Sequence, residues 1–398
     1  MWMFSTFLLS LAFAALSLAA KTPLYPTYGT SDFIERSLDK IAPKVFIFTM
    51  FDSEANVWYN IPEFNLLARN ITVPGLSPLF PSVHCTADGS ICQLITGEGE
   101  INAAVSITAL VYSSRFDLSH TYFLIAGIAG GNPRLVTTGS VTFARYAVQV
   151  GLQYEIDARE IPTEFNTGYI PLGARAPDQY PRAIYGTEVF EVNDALRHIA
   201  FDFAQKAKLN DTKAAQDYRS NYAPTPSFSI AARPPSFALC DTVTADAFWA
   251  GTLLAEAFEN TTTSWTNGTG VYCTTQQEDN ATLESLMRGT ISGLTDFSRV
   301  IIMRTISDFD RPYAGQSAAD SLFADQAGFD IGVANLYRAG VQVVEGILRG
   351  WDRQFRDGVK AQNYIGDIFG SIGGQPDFGP GSIFQGGKAP SARSIRRR

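Results

Sequence analysis

Apolar runs of strand length, each giving way to acidic or glycine-rich turns and then to helical spacing, recur along this chain and constrain its fold class more than any other feature. Lys44–Met50 (KVFIFTM) is a buried-strand pattern that runs into Asp52, Ser53 and Glu54, residues suited to opening a helix. Ile91–Thr96 is a second such strand, followed by the turn Gly97-Glu-Gly-Glu-Ile-Asn102 and a helical pattern over Ala103–Tyr112. Thr121–Ala126 reads as a strand ending in a glycine cluster, Gly127, Gly130 and Gly131, and Ser140–Gln149 alternates as one further strand. Thr187–Ala207 reads as one amphipathic helix on Val189, Val192, Leu196, Ile199 and Phe203. Val300–Arg304 is another buried strand, and Leu336–Trp351 closes as a helix. Strands that are apolar throughout are covered on both faces, so the pattern predicts an α/β, three-layer fold with a central mixed or parallel sheet flanked by helices. Ligands in such folds sit at the carboxyl ends of strands, which directs attention to Asp52–Glu54, Gly127–Gly131 and Ser307–Asp308.

The ends of the chain read differently from its body. Met1–Ala20 holds no charged residue and closes on Ser17, Ala19 and Ala20, as a secretory signal peptide does; if retained, it would be an anchor. Residues 21–40 form a lead-in, 41–369 one domain, and 370–398, rich in Gly, Pro and Ser, a disordered tail. After the leader no apolar run approaches the roughly 20 residues of a spanning helix, so this chain alone is not expected to form a channel. Sequons at Asn70, Asn210, Asn260, Asn267 and Asn280 agree with a secreted or cell-surface protein. Four cysteines in an oxidising compartment suggest two disulfides, and local pairing, Cys85 with Cys92 and Cys240 with Cys273, is expected among the three connectivities.

Several chemistries find no support. Net charge is −8, and the basic cluster Lys388, Arg393, Arg396, Arg397 and Arg398 leaves the body more acidic still, so nucleic acid is not an expected partner. His84 beside Cys85 has no C-x-x-C or third ligand nearby, so no metal is expected. Gly97-x-Gly99-x-x-Asn102 lacks the third glycine of a dinucleotide fingerprint and reads as a close strand-to-helix turn. Three scattered histidines and no Gly-x-Ser-x-Gly leave little room for a Ser-His-Asp hydrolase. What remains is carboxylate chemistry at strand ends: Glu54, Asp308, and the pair Glu278 and Asp279 before a helix. Singly, each reads as a helix cap or a solvated charge; their joint placement at the ends of one sheet makes them a candidate site.

In order along the chain, KVFIFTMFDSE (44–54), GEGEINAA (97–104), AGIAGG (126–131), TADAFWAG (244–251), QQEDNAT (276–282) and MRTISD (303–308) resemble the nucleoside phosphorylase and nucleosidase superfamily, and most closely its fungal purine nucleoside permease branch. The resemblance spans Ile41 to about Trp351. It implies that Asp308 is the general acid that protonates purine N7, that Glu54 activates water, and that Glu278, or Asp279 beside it, holds the ribose hydroxyls. It further implies that Phe248 stacks on the base, that the backbone of Trp249 reads the base edge, and that Gly127 and Ile128 belong to the ribose-side loop. Core packing is the bland alternative for Phe248 and Trp249. Ile125 and Ile128 stand where phosphorolytic relatives present Arg and Ser or Thr, so water rather than phosphate is the expected co-substrate. Ile128 also replaces a small hydroxyl residue of hydrolytic members. The resemblance therefore implies a purine nucleosidase without cofactor, or a nucleoside-binding component of uptake served by a separate membrane transporter. A third reading is a fold that has lost its site. A homo-oligomer is expected, as is common in the superfamily.

Overall fold

In the computed structural model, which describes residues 40–378, strand β1 (Val45–Thr49) sends alternate side chains into two separate cores. Val45 and Ile47 join one core, Phe46 and Phe48 the other, and all four are fully buried. That is the packing expected of a strand with a helical layer on each face. The neighbours repeat it: β2 (Ile91–Ile95) and β3 (Tyr122–Gly131) both pair parallel with β1.

The rest of the sheet extends from β3. The strands are β4 (Val141–Ala144), β5 (Tyr146–Gln149), β6 (Val189–Glu191), β7 (Asp241–Thr244), β8 (Tyr272–Gln276) and β9 (Val300–Phe309). Strand β9 lies parallel to β3 over its whole length and antiparallel to β4. Strand β8 pairs antiparallel with the end of β3, and β7, β5 and β6 continue outward. Among the described residues, with four further short strands these form one mixed sheet of thirteen. Helix α1 (Asp52–Asn56) directly follows β1. Helices α2 (Glu100–Val111) and α5 (Asp279–Ile291) cover one face of the sheet through Ile107, Leu110, Leu283 and Leu286. Helices α3 (Asp194–Ala204) and α6 (Phe329–Gly350) cover the other through Leu196, Ala200, Leu336 and Val343, while α4 (Thr252–Trp265) packs beyond β7 and β8. The expected α/β three-layer architecture with a mixed sheet is the one found.

Four expectations change. The strand read as Thr121–Ala126 continues through its glycines to Gly131. The glycines keep its surface bare, because a Cβ would meet Arg304 at Gly127, Thr275 at Gly130 and Ile306 at Gly131, each within 2.6 Å. Ser140–Gln149 is two strands, not one. The chain breaks at Arg145 because the buried Asp241 carboxylate accepts from two successive amides, Arg145 at 2.9 Å and Tyr146 at 2.8 Å. Thr187–Ala207 is likewise not one helix: Val189–Glu191 is strand β6, and Asn193 caps α3 by accepting from the Leu196 amide at 3.2 Å. Residues 370–378 belong to the packed body, where Phe378 is buried against Tyr146 and Tyr364. The signal peptide, the lead-in through residue 39 and the tail from 379 lie outside the described residues.

Both local disulfides are present, Cys85–Cys92 across adjacent antiparallel strands and Cys240–Cys273 between the start of β7 and β8. Asn70 and Asn260 are exposed, while Asn210 and Asn267 are half-buried. Asn280 does not fit a glycan acceptor. Its buried amide accepts from Thr244 Oγ1 at 2.6 Å and donates to the Thr187 carbonyl at 2.7 Å, leaving no route for a sugar. Among the described residues, no helix is long and apolar enough to cross a membrane.

Candidate functional site

The carboxyl ends of β1, β8 and β9 open onto a cleft of about 410 Å³. Glu54 reaches its floor from α1. One carboxylate oxygen accepts from the Met50 amide and the other from the Ile128 amide, both at 2.7 Å, so a turn of helix and a distant strand are tied through one side chain. Burial pushes Glu54 up to about 8, against the pull of Arg304 and these two amides.

Arg304 lies almost fully buried beneath the cleft, within an apolar run whose pattern marks it only as part of a strand. Its guanidinium donates to Asp279 at 2.5 Å, to Glu278 at 3.3 Å and to the Ile128 carbonyl at 3.0 Å. Gly127 is not on the cleft wall; it is the spacer that lets this guanidinium cross β3, since a Cβ there would stand 2.4 Å from Nη1. Asp279 is not on the wall either, being wholly buried against Arg304, so Glu278 alone of the acidic pair lines the cleft.

Glu278 is set by the start of α5. The Gln276 side chain accepts from the Glu278 and Asp279 amides at 2.7 and 2.8 Å, capping the helix and releasing Glu278 from that task. Its carboxylate instead accepts from the Gly99 amide at 3.0 Å, and burial raises its pKa despite the opposing charge of Arg304.

Asp308 stands on the wall because β9 bulges. Ile306 pairs with Ala129 but Asp308 with Gly130, so Ser307 is the extra residue. The bulge brings Ser307 and Asp308 together onto the cleft, where a regular pleat would send them to opposite faces. Ser307 donates to Asp308 at 2.6 Å; burial, with the charge of Asp310 adding to it, outweighs that bond and pushes Asp308 up to about 6.

The rim is aromatic. Phe248 is 63% exposed, an unusual position for a Phe without a partner. Trp249 also lines the cleft, but its ring turns inward onto Phe258, 4.6 Å between centroids, so core packing accounts for the side chain. Phe51, Phe329 and the turn Ala324–Gly328 complete the mouth. Ile125 is buried in the core and does not face the cleft; Ile128 does. Among the described residues the wall carries Glu54, Glu98, Glu278, Asp308 and Asp325 against one cation, Arg304, which is already paired with Asp279 and Glu278. Such a wall suits a neutral or cationic ligand and repels a dianion.

A family model described as purine nucleoside permease matches residues 42–360. A purine nucleoside permease of Candida albicans is 45% identical over 348 residues, 86% of this chain and 84% of that protein. A probable purine nucleoside permease of Schizosaccharomyces pombe is 43% identical over 319 residues, 78% of this chain and 90% of its own length. Among solved structures, the 5'-methylthioadenosine/S-adenosylhomocysteine nucleosidase of Neisseria meningitidis aligns over 77% of this chain and 99% of that one, at 16% identity and a TM-score of 0.44. The futalosine hydrolase of Helicobacter pylori aligns over 76% and 97%, at 13% identity and a TM-score of 0.46.

Proposed function

This chain belongs to the purine nucleoside permease family, and on that premise we propose that it binds purine nucleosides outside the cytosol and hydrolyses their N-glycosidic bond. One observation carries the reading: a single cleft holds two carboxyls, Asp308 and Glu54, whose proton affinities burial has moved to either side of neutrality, about 6 and about 8. Breaking the bond leaves an oxocarbenium-like sugar and a departing purine. Asp308 gives its proton to N7, so the base leaves neutral, a contribution of about 10²–10⁴-fold. Glu54 withdraws a proton from the attacking water and faces the cationic sugar. Glu278, held by the Gly99 amide, accepts from the ribose hydroxyls. Phe248 offers a ring face to the base. The acidic wall supports water over phosphate as nucleophile.

The pH dependence follows. Below about 6 both carboxyls are protonated and no base remains; above about 8 both are ionised and no acid remains. We expect kcat/KM to be bell-shaped with its maximum near 7, between those two flanks. In the one-proton form the proton sits mostly on Glu54, by about a hundred to one for that gap. A sugar gaining positive charge beside Glu54 favours the productive arrangement, with the proton on Asp308. A rate that climbs steadily to pH 9 would remove Asp308 from the acid role.

The extracellular placement is supported by two disulfides and by exposed sequons at Asn70 and Asn260. The alternative reading, capture of nucleosides for a separate transporter without cleavage, is favoured by one feature, Ile128 at the position of a small hydroxyl residue beside Glu54. Release of free base from inosine, guanosine and adenosine, with and without phosphate, separates the two.

A further inference from the structure

The segment that carries Phe248 contributes Ala245, Ala247, Phe248 and Trp249 to the cleft wall, while Asp246 is not among its lining residues. Asp246 reaches instead to the start of α2, a helix whose own N-terminal residue supplies no side-chain cap. Its Oδ1 accepts from the Glu100 amide at 2.8 Å, a bond between residues 146 apart in sequence. The preceding amide, that of Gly99, gives its hydrogen to Glu278 at 3.0 Å. Two consecutive N–H groups of one turn thus hold two carboxylates, one from the rim and one from the ribose side of the cleft. Gln277, next to Glu278, closes the loop by donating from its side chain to the Asp246 carbonyl at 2.6 Å.

The turn is shaped for this contact. Gly99 has φ +86°, and a Cβ on it would lie 3.2 Å from Asp246 Oδ1, so a side chain there would be strained by the backbone conformation and crowded by the carboxylate. An acidic side chain at a helix N-terminus completes the unpaired amides and faces the positive end of the helix dipole. The arrangement has a cost at Glu100, whose carboxyl burial and then the charge of Asp246 push up to about 7.

We infer that Asp246 is a positioning residue: by capping α2 beside the amide that holds Glu278, it fixes the spacing between the Phe248 rim and Glu278 so that one ligand meets both. The inference rests on the nucleoside reading of the cleft, but the bond itself can be tested without a ligand.

The test compares Asp246→Ala and Asp246→Asn in the whole chain. Asparagine keeps an acceptor oxygen and caps helices about as well as aspartate. We expect Asp246→Ala to raise Kd and KM for inosine about three- to tenfold with kcat within about twofold, and to speed amide hydrogen exchange both at 97–101 and at 245–251. Asp246→Asn is expected to keep Kd, KM and exchange within about twofold of wild type. Wild-type exchange and affinity in Asp246→Ala, or equal impairment in both variants, would overturn the inference. Should the wild type bind no purine nucleoside, the functional reading fails on its own. Exchange still decides the link then: joint acceleration of the two segments upholds it, and unchanged exchange refutes it.

Discussion

Asp308→Asn is expected to slow release of free purine about 10²–10⁴-fold while the dissociation constant for the nucleoside stays within about threefold. The substitution is nearly isosteric, and an amide oxygen can still accept the Ser307 hydroxyl that now donates at 2.6 Å, so wall and bulge keep their shape. What is lost is the proton. The Asp308 carboxyl, pushed up to about 6, is close enough to neutrality to carry that proton and give it up during bond cleavage. An amide has none to give, so the purine must leave as an anion, and an effect confined to kcat identifies an interaction made in the transition state. Equal losses in binding and turnover, or a rate within a few-fold of wild type, would mean that Asp308 only shapes the pocket.

Arg304→Met is expected to destabilise the fold by about 3–5 kcal/mol, because it leaves Glu278 and Asp279 buried without their cation. For a chain of this size that lowers the thermal midpoint by roughly 4–7 °C. Glu54 loses an attractive charge as well, so its pKa rises further and the alkaline flank of the pH profile moves upward. Adding Asp279→Asn, which removes the most tightly paired of the stranded charges, should recover part of the lost stability. Thermal unfolding of the wild type, the single variant and the double variant tests this. A single variant as stable as wild type would show that the buried pair contributes nothing net.

How far the sequence discloses this site depends on whether the deciding interaction is local. The apolar strands and their acidic or glycine-rich ends are local properties, and they put Glu54, Glu278 and Asp308 at strand ends of one sheet, where the three line one cleft. Arg304 is different. Within VIIMRTIS it reads as a charge interrupting a strand, and only the fold brings it to Glu278 and Asp279, about one helix earlier in the chain. The separation of Glu278 from Asp279 is equally invisible, since adjacent residues at a helix start point to different sides and only the fold sets Asp279 against the buried Arg304 while Glu278 reaches the cleft. Strand β3 could not be followed through Gly127–Gly131 because residues without side chains show no alternation, and the bulge at Ser307 breaks alternation where the chemistry needs it. The break between β6 and α3 did leave a mark that was readable, an Asn directly before the first turn, and the hydrophobic spacing around it overrode that mark.

The central claim is phosphate-independent cleavage in a cleft whose described wall is acidic, its one cation, Arg304, being already paired with Asp279 and Glu278. The most direct measurement is release of free base from inosine, guanosine and adenosine by the purified protein, in phosphate-free buffer and again with phosphate added. We expect free base and ribose at the same rate in both buffers. Strict dependence on phosphate, with ribose 1-phosphate as product, would contradict the assignment of water as nucleophile, and tight binding with no release would replace the nucleosidase with a nucleoside-binding protein.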